Sequence, residues 1–163
     1  MDEKDRSILL LLEENSRTSP SEIALLVDLD EREVVERISA MEETGIIRNY
    51  TALIDWGRTG DGQIAAIVEL KVSPERDHGY DKIAGRIARF RNVRALRLVT
   101  GTYDLHLLVT GRSMHEIASF VAEEIAPMDG IRETATVIIM KSYKENGALF
   151  VERDEADRLT YSF

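Results

Sequence analysis

The sequence predicts an α+β protein: an N-terminal winged helix-turn-helix joined to a C-terminal ferredoxin-like βαββαβ domain. Three observations carry this prediction. Apolar residues recur at helical spacing up to about residue 54, whereas strand-like and helical runs alternate beyond residue 63. Between them, Asp55-Trp56-Gly57-Arg58-Thr59-Gly60-Asp61-Gly62 places three glycines in eight residues without apolar periodicity. The expected organisation is therefore a first domain over 1–54, a linker over 55–62, a second domain over 63–145 and a tail over 146–163.

The first helix is expected over 3–14, with Ile8, Leu9, Leu11 and Leu12 apolar behind an acidic first turn that suits the helix dipole. Ser19-Pro20-Ser21-Glu22 is a helix start: serine cap, proline in the first turn, and a glutamate three residues after the cap. That helix is short, broken at Val27-Asp28-Leu29. Asp30 with Glu33 repeats the capping pattern for a third helix that stops at Gly45, with Val34, Ile38 and Met41 facing inward. Ile46 to Ile54 then reads as a strand, the wing of the helix-turn-helix pattern.

In the second half, Ile64, Ala66, Val68, Leu70 and Val72 share one strand face, and Tyr80, Ile83, Ile87 and Phe90 fall at helical spacing. Leu96, Leu98 and Thr100 belong to a second strand and Leu105, Leu107 and Val109 to a third, joined by a turn at Gly101-Thr102-Tyr103-Asp104. Ser113 and Glu116 open a helix carrying Ile117, Phe120, Val121 and Ile125, and residues 134–140 form the fourth strand. Both helices belong on one side of an antiparallel sheet. Both sheet faces nevertheless carry apolar residues, Val137 and Ile139 against Ile138 and Met140, so the uncovered face calls for a second copy of the chain. Residues 148–151 and 159–163 read as a terminal hairpin or an edge extension.

Composition narrows the function. The chain of 163 residues holds 21 basic and 30 acidic side chains, a net charge of −9, with 44% hydrophobic residues. That is a globular composition. No stretch approaches the ~18 apolar residues of a membrane span, and the acidic start is unlike a secretion signal, so a cytoplasmic protein is expected. Without cysteine there is no disulfide framework, thiol nucleophile or cysteine zinc site. His78, His106 and His115 show no metal spacing, His106 reading as an interface residue; no catalytic triad or phosphate loop is present, and no cofactor is expected. Residues 1–60 hold seven basic and fourteen acidic residues, so bulk attraction to nucleic acid is absent and specific contacts must carry it.

Several segments, in order, resemble the Lrp/AsnC family, the feast/famine transcription regulators. They are Asp5-Arg6-Ser7-Ile8-Leu9, Asn15-Ser16-Arg17-Thr18, Val35-Glu36-Arg37-Ile38, Gly45 to Ala52, Gly101-Thr102-Tyr103-Asp104, and the strand with Thr134 and Thr136. The resemblance spans about residues 2–145. It implies a non-enzyme: a regulator that binds double-stranded DNA, senses an amino acid or similar small metabolite, and assembles from dimers. It also implies that the turn at Gly101–Asp104 lines the effector site at a contact between dimers. One departure stands out, because the recognition helix opens with Asp30-Glu31-Arg32-Glu33 where the family is small, polar and then basic.

The candidate DNA contacts are Arg32 and Arg37 on the third helix, Arg17 and Ser19 before the second, and Arg48 in the wing. The plain reading of Arg32 and Arg37 is pairing with Glu33 or Glu36 at helical spacing. The candidate effector residues are Gly101, Tyr103 and Asp104, with Thr134 and Thr136 supplying hydroxyls. A carboxylate suits a ligand ammonium, and free N–H groups at a glycine turn suit its carboxylate; an aspartate that merely stabilises its turn is the plain reading. Two other readings share the architecture. One is a sirohaem decarboxylase that has lost DNA binding, which fits the acidic helix but lacks a histidine-rich pocket; the other is a metabolite-binding module without DNA contact.

Overall fold

The computed structural model describes residues 1–60, 62–74 and 79–151. Met1–Ile54 together with Glu145–Leu149 form one compact unit, and Asp55–Lys144 make up most of a second. His78 and the segment 159–163 lie outside the described residues.

In the first unit, α1 (Glu3–Glu14) begins in a closed capping box. The Asp2 side chain accepts from the Asp5 N–H, and the Asp5 side chain accepts from the Asp2 N–H. α2 (Pro20–Val27) begins as its sequence predicts, with Ser19 and Glu22 bonded reciprocally and Pro20 in the first turn. Asp28 takes φ +54° and ends it. α3 (Glu31–Glu43) is capped by Asp30, which accepts from the Arg32 N–H. The expected second box does not close, because Glu33 accepts from Arg37 instead. Ile8, Ile23 and Val34 are fully buried, one from each helix, with Ala24, Val27 and Met41 beside them. Gly45 at φ +71° turns the chain out of α3, and the Ile47 N–H returns to the Met41 carbonyl.

The expected wing is corrected. Residues 46–54 form no strand, since the described residues offer them no ladder partner. A β-rich composition cannot hold a strand whose backbone bonds go unpaired. Local bonds serve instead: Tyr50 N–H donates to its neighbour Asn49, and the Tyr50 hydroxyl donates to Glu42 at 2.7 Å.

In the second unit, Trp56–Arg58 form a single 3₁₀ turn. The order β1 (Ile64–Val72), α4 (Asp81–Ile87), β2 (Val93–Leu98), β3 (Leu105–Gly111), α5 (Met114–Phe120), β4 (Ile131–Ile139) is βαββαβ. The strands lie β2-β3-β1-β4, all neighbours antiparallel. Ala66, Val68, Leu70 and Val72 of β1 and Leu105, Leu107 and Val109 of β3 bury against Ile83 and Ile87 of α4 and Ile117 of α5. Both helices therefore cover the same face. Leu96 packs there too, whereas Leu98, at the end of β2, is 60% exposed, and Thr100 lies beyond the strand.

The other face of the sheet carries Ala65 and Ile67 opposite Leu108 and Thr110 on one side, and Ile139 and Val137 on the other. Val137 is 53% exposed. Polar residues stand at one end of this face, where the His106 Nε2 lies 2.6 Å from the Glu69 carboxylate. After α5 the helix widens to a π turn, Val121–Ile125, in which the Ala126 N–H donates to the Val121 carbonyl five residues back. A short hairpin pairs β5 (Lys144–Glu145) with β6 (Ala148–Leu149). The expected hairpin or edge extension of 148–151 with 159–163 falls partly outside the described residues. Asn146 and Gly147 both take positive φ, as the tight two-residue hairpin turn requires.

Candidate functional site

The first unit spends its arginines unevenly. Arg37 lies on the face of α3 turned toward the start of α1, where it meets Asp5 at 2.7 Å and Asp2 at 2.8 Å while also reaching Glu33 at 2.7 Å. Its side chain is only 26% exposed. Arg37, expected as a base or phosphate contact, has its donors taken up here by three carboxylates that cross-link α3 to the α1 cap. These bonds have electrostatic consequences. The Asp5 N–H and then Arg37 hold Asp2 down to about 2, and the Asp2 N–H and Arg37 lower Asp5. Arg37 itself is raised further by the same carboxylates.

Arg32 remains on the surface, 87% exposed, with only an open contact to Glu36 at 3.4 Å. Such a pair is weak in water and leaves most of the donors available. Arg17 is exposed before α2, and its guanidinium has no carboxylate partner among the described residues. Ser19 is occupied by capping: its hydroxyl accepts from the Glu22 N–H and donates to the Glu22 carboxylate at 2.9 Å. The Ser19 N–H and hydroxyl together lower the Glu22 carboxyl. Arg48 folds back over Gly45, so near that a side chain there would meet its guanidinium at 3.3 Å.

In the second unit the turn after β2 closes through the Val99 N–H, which donates to the Asp104 carbonyl. Gly101 sits at its tip with φ +143° and open space around it. Asp104 is engaged by the fold. Its carboxylate accepts from the Val72 N–H at 2.8 Å and from the Tyr80 hydroxyl at 3.3 Å, while its own N–H donates to Leu70. Burial and then Asp104 raise the Tyr80 hydroxyl. The Asp104 side chain thus ties the turn to the end of β1 and to Tyr80, with Tyr103 half-buried beside it.

Thr134 and Thr136 sit elsewhere. They pair with Leu70 and Val68, so they share the helix-covered face with Ile138. With Met114, Ala118, Val121, Ala122 and Ala126 they line a pocket of about 470 Å³ between α5, the π turn and β4. Gly101, Tyr103 and Asp104 do not line it. Thr134 and Leu105 flank Leu70 from opposite sides, so turn and pocket stand at one end of the sheet, a strand apart. The alanines carry no signal in the sequence: small residues at positions 118, 122 and 126 are ordinary in a helix, and only the packed geometry reveals the space they leave.

Three helices around one small core, with the third presenting a charged face, define a helix-turn-helix unit, and a ferredoxin-like unit with a pocket of ligand size accompanies it. This is the build of a ligand-responsive transcription regulator. Residues 1–42 match the AsnC-type helix-turn-helix domain and residues 65–149 the Lrp/AsnC ligand binding domain. The HTH-type transcriptional regulator YugG of Bacillus subtilis is 36% identical over 161 residues, covering 98% of this chain and 97% of that protein. An HTH-type transcriptional regulator of Pyrococcus horikoshii is 34% identical, with 85% of each covered.

Among solved structures, an AsnC family regulator from Agrobacterium tumefaciens superposes with a TM-score of 0.71 at 26% identity, over 91% of this chain and 96% of that one. A Neisseria meningitidis regulator, solved as an L-Met complex, shares the fold with a TM-score of 0.71 at 23% identity, over 89% and 93%. The chain belongs to the Lrp/AsnC family and is a transcription regulator with a helix-turn-helix and a ligand-binding domain. The decarboxylase alternative is not favoured, because the relatives are transcription regulators.

Proposed function

We propose that the protein is a sequence-specific DNA-binding regulator whose effector is a small amino acid-like metabolite with an uncharged, apolar side chain. The observation carrying the effector class is the lining of the α5–β4 pocket: two hydroxyls, Thr134 and Thr136, in an otherwise apolar wall. A volume of about 470 Å³ lies in the usual range for small-ligand sites. Among the described residues no charged side chain lines it, so the wall offers an apolar ligand side chain contacts and a charged one no ionic partner. The L-Met complex of the Neisseria regulator is in keeping with this class.

DNA contact is assigned to Arg17, Arg32 and Arg48, whose guanidiniums remain available, while Arg37 braces the unit that presents them. The turn of Gly101, Tyr103 and Asp104 stands apart from this pocket, and its glycine N–H groups are a second place where a ligand carboxylate could be held. Two copies associate through the uncovered sheet face around Ile67, Leu108 and Val137, because a contiguous apolar sheet face needs a cover. Effector binding then biases how the copies assemble and so resets the spacing of the two DNA-reading helices.

Titration calorimetry of the full-length protein with leucine, methionine, aspartate and lysine tests the effector class. Heat from leucine or methionine, with none from aspartate or lysine, is the expected result. Binding of a charged amino acid in preference to both apolar ones refutes it.

A further inference from the structure

The second unit carries guanidinium groups that neither the pocket nor the sheet core uses. Residues 79–103 contain six basic residues and a single acidic one, Asp81, in a chain with a surplus of nine negative charges. Four of the six gather at one corner. Arg86 stands in the last turn of α4, and the Arg89 N–H returns to its carbonyl. The Val93 N–H closes back on Phe90, and Asn92 accepts from Thr110, so the chain turns tightly through Arg91 into β2. Arg94 falls at the register shift between Val93 and Ala95, on the edge strand of the sheet.

All four are exposed, and none has a carboxylate partner among the described residues. That contrasts with Arg32, Arg37 and Arg112, each of which has found one. Arg17 and Arg48 of the first unit also lack a carboxylate partner among the described residues, but here four such arginines stand within nine residues of chain. Helix-dipole stabilisation accounts for Arg86 and Arg89 at the end of α4, but Arg91 and Arg94 lie beyond its reach.

We infer that this corner binds the phosphate backbone of duplex DNA flanking the site read by the first unit. The inference rests on the DNA-binding function proposed above. Nine residues folded through one corner confine four planar, fork-shaped donors to a small area, and the guanidinium fork matches phosphate oxygens two at a time. A duplex presents one negative charge per ~1.7 Å of axis, a density that exposed carboxylates of a folded protein do not match. Residues 1–60, with seven basic residues against fourteen acidic ones, add no bulk attraction beyond the few arginines assigned to the site itself. The charge that draws DNA sits on the unit that senses ligand. The competing occupant is the acidic first unit of a second copy.

The test uses the full-length chain with all four positions changed, Arg86→Gln, Arg89→Gln, Arg91→Gln and Arg94→Gln, and a second variant with lysine at the same positions. Fluorescence anisotropy across a salt series is measured on a short duplex holding only the half-sites and on one extended at both ends. Wild type and the lysine variant are expected to bind the extended duplex more tightly and with the steeper salt slope. The glutamine variant should match wild type on the short duplex. On the extended one it should weaken by roughly tenfold, its slope shallower by about 0.9 for each phosphate that is no longer neutralised.

Equal binding of the extended duplex by wild type and the glutamine variant overturns the inference and leaves the DNA-binding reading intact. A change in assembly size by light scattering, with the extended-duplex advantage kept, also overturns it and assigns the corner to a protein contact. Failure of wild type to bind either duplex overturns both together.

Discussion

In the first unit Arg37 meets three carboxylates at 2.7–2.8 Å, whereas in the second Arg86, Arg89, Arg91 and Arg94 meet none among the described residues. Arg37 serves cohesion, whereas these four guanidinium groups are left exposed. The helix-turn-helix unit has a core of only six buried residues, and it supplements them with charge: an α1 cap whose two aspartates also hold α3. The sheet unit buries twelve apolar residues between one face and two helices, and its surface charge is left for other work. Net charge by region therefore says little about where a positive donor is available. Pairing decides it.

The contrast can be broken most severely at the smaller core. Ile8→Ala empties a fully buried position and should cost about 2–5 kcal/mol. Chemical denaturation should show that loss, and DNA binding should vanish while calorimetric effector binding persists. Loss of both activities would mean that the two units do not act separately.

Arg37→Ala should come next. It strands Asp2, Asp5 and Glu33 together, so the melting temperature of the first unit should drop by several degrees. The loss of DNA affinity should follow the loss of fold, leaving the salt slope of the residual folded protein unchanged. Asp5→Asn sharpens this point. It removes a negative charge, so a free DNA contact held back by carboxylates would bind more tightly, whereas a brace would weaken binding.

In the second unit, Ala122→Glu places a carboxylate in the apolar pocket and should abolish binding of leucine and methionine while the melting temperature stays near wild type. Thr136→Val keeps the shape and removes one hydroxyl, so a loss of about 0.5–1.5 kcal/mol in binding is expected. Unchanged affinity in both variants would move the effector out of the α5–β4 pocket.

The smallest effect is on pH. Asp2, Asp5 and Glu22 have carboxyls lowered in the folded state, so their stabilisation is present above their ordinary values and is lost as pH falls through the folded ones. Circular dichroism should show the first unit weakening as pH drops from about 4 toward about 2. Asp2→Asn should flatten that part of the curve.

What is legible in the sequence is local. The Ser19–Glu22 box, the stop at Gly45 and the alternation of β1 depend on residues within a few positions of one another, and each stands where its spacing puts it. The wing is not legible in this way, because a strand is made by its partner, and residues 46–54 have none among those described. Helical spacing offers Glu36 to Arg32 and Glu33 to Arg37, and both pairs are there. Asp2 and Asp5, 35 and 32 residues distant, come with the packing of α1 against α3. The hairpin at Asn146-Gly147 has an open signal in that dipeptide, which is the strongest short-range mark of a tight turn. The pocket has none, since space between a helix and a sheet is written in the sizes of residues from both. The run from Arg86 to Arg97 is visible as composition, but its lack of carboxylate partners is not.

The most direct measurement is the salt dependence of binding to the short duplex, for wild type and for the variant Arg17→Gln, Arg32→Gln, Arg48→Gln. With three arginines neutralising phosphates in each of two subunits, the log–log slope for wild type should be about −5, and the variant should lose most of it. A wild-type slope near zero, or a variant that binds as wild type does, would contradict the assignment of DNA reading to these three guanidinium groups.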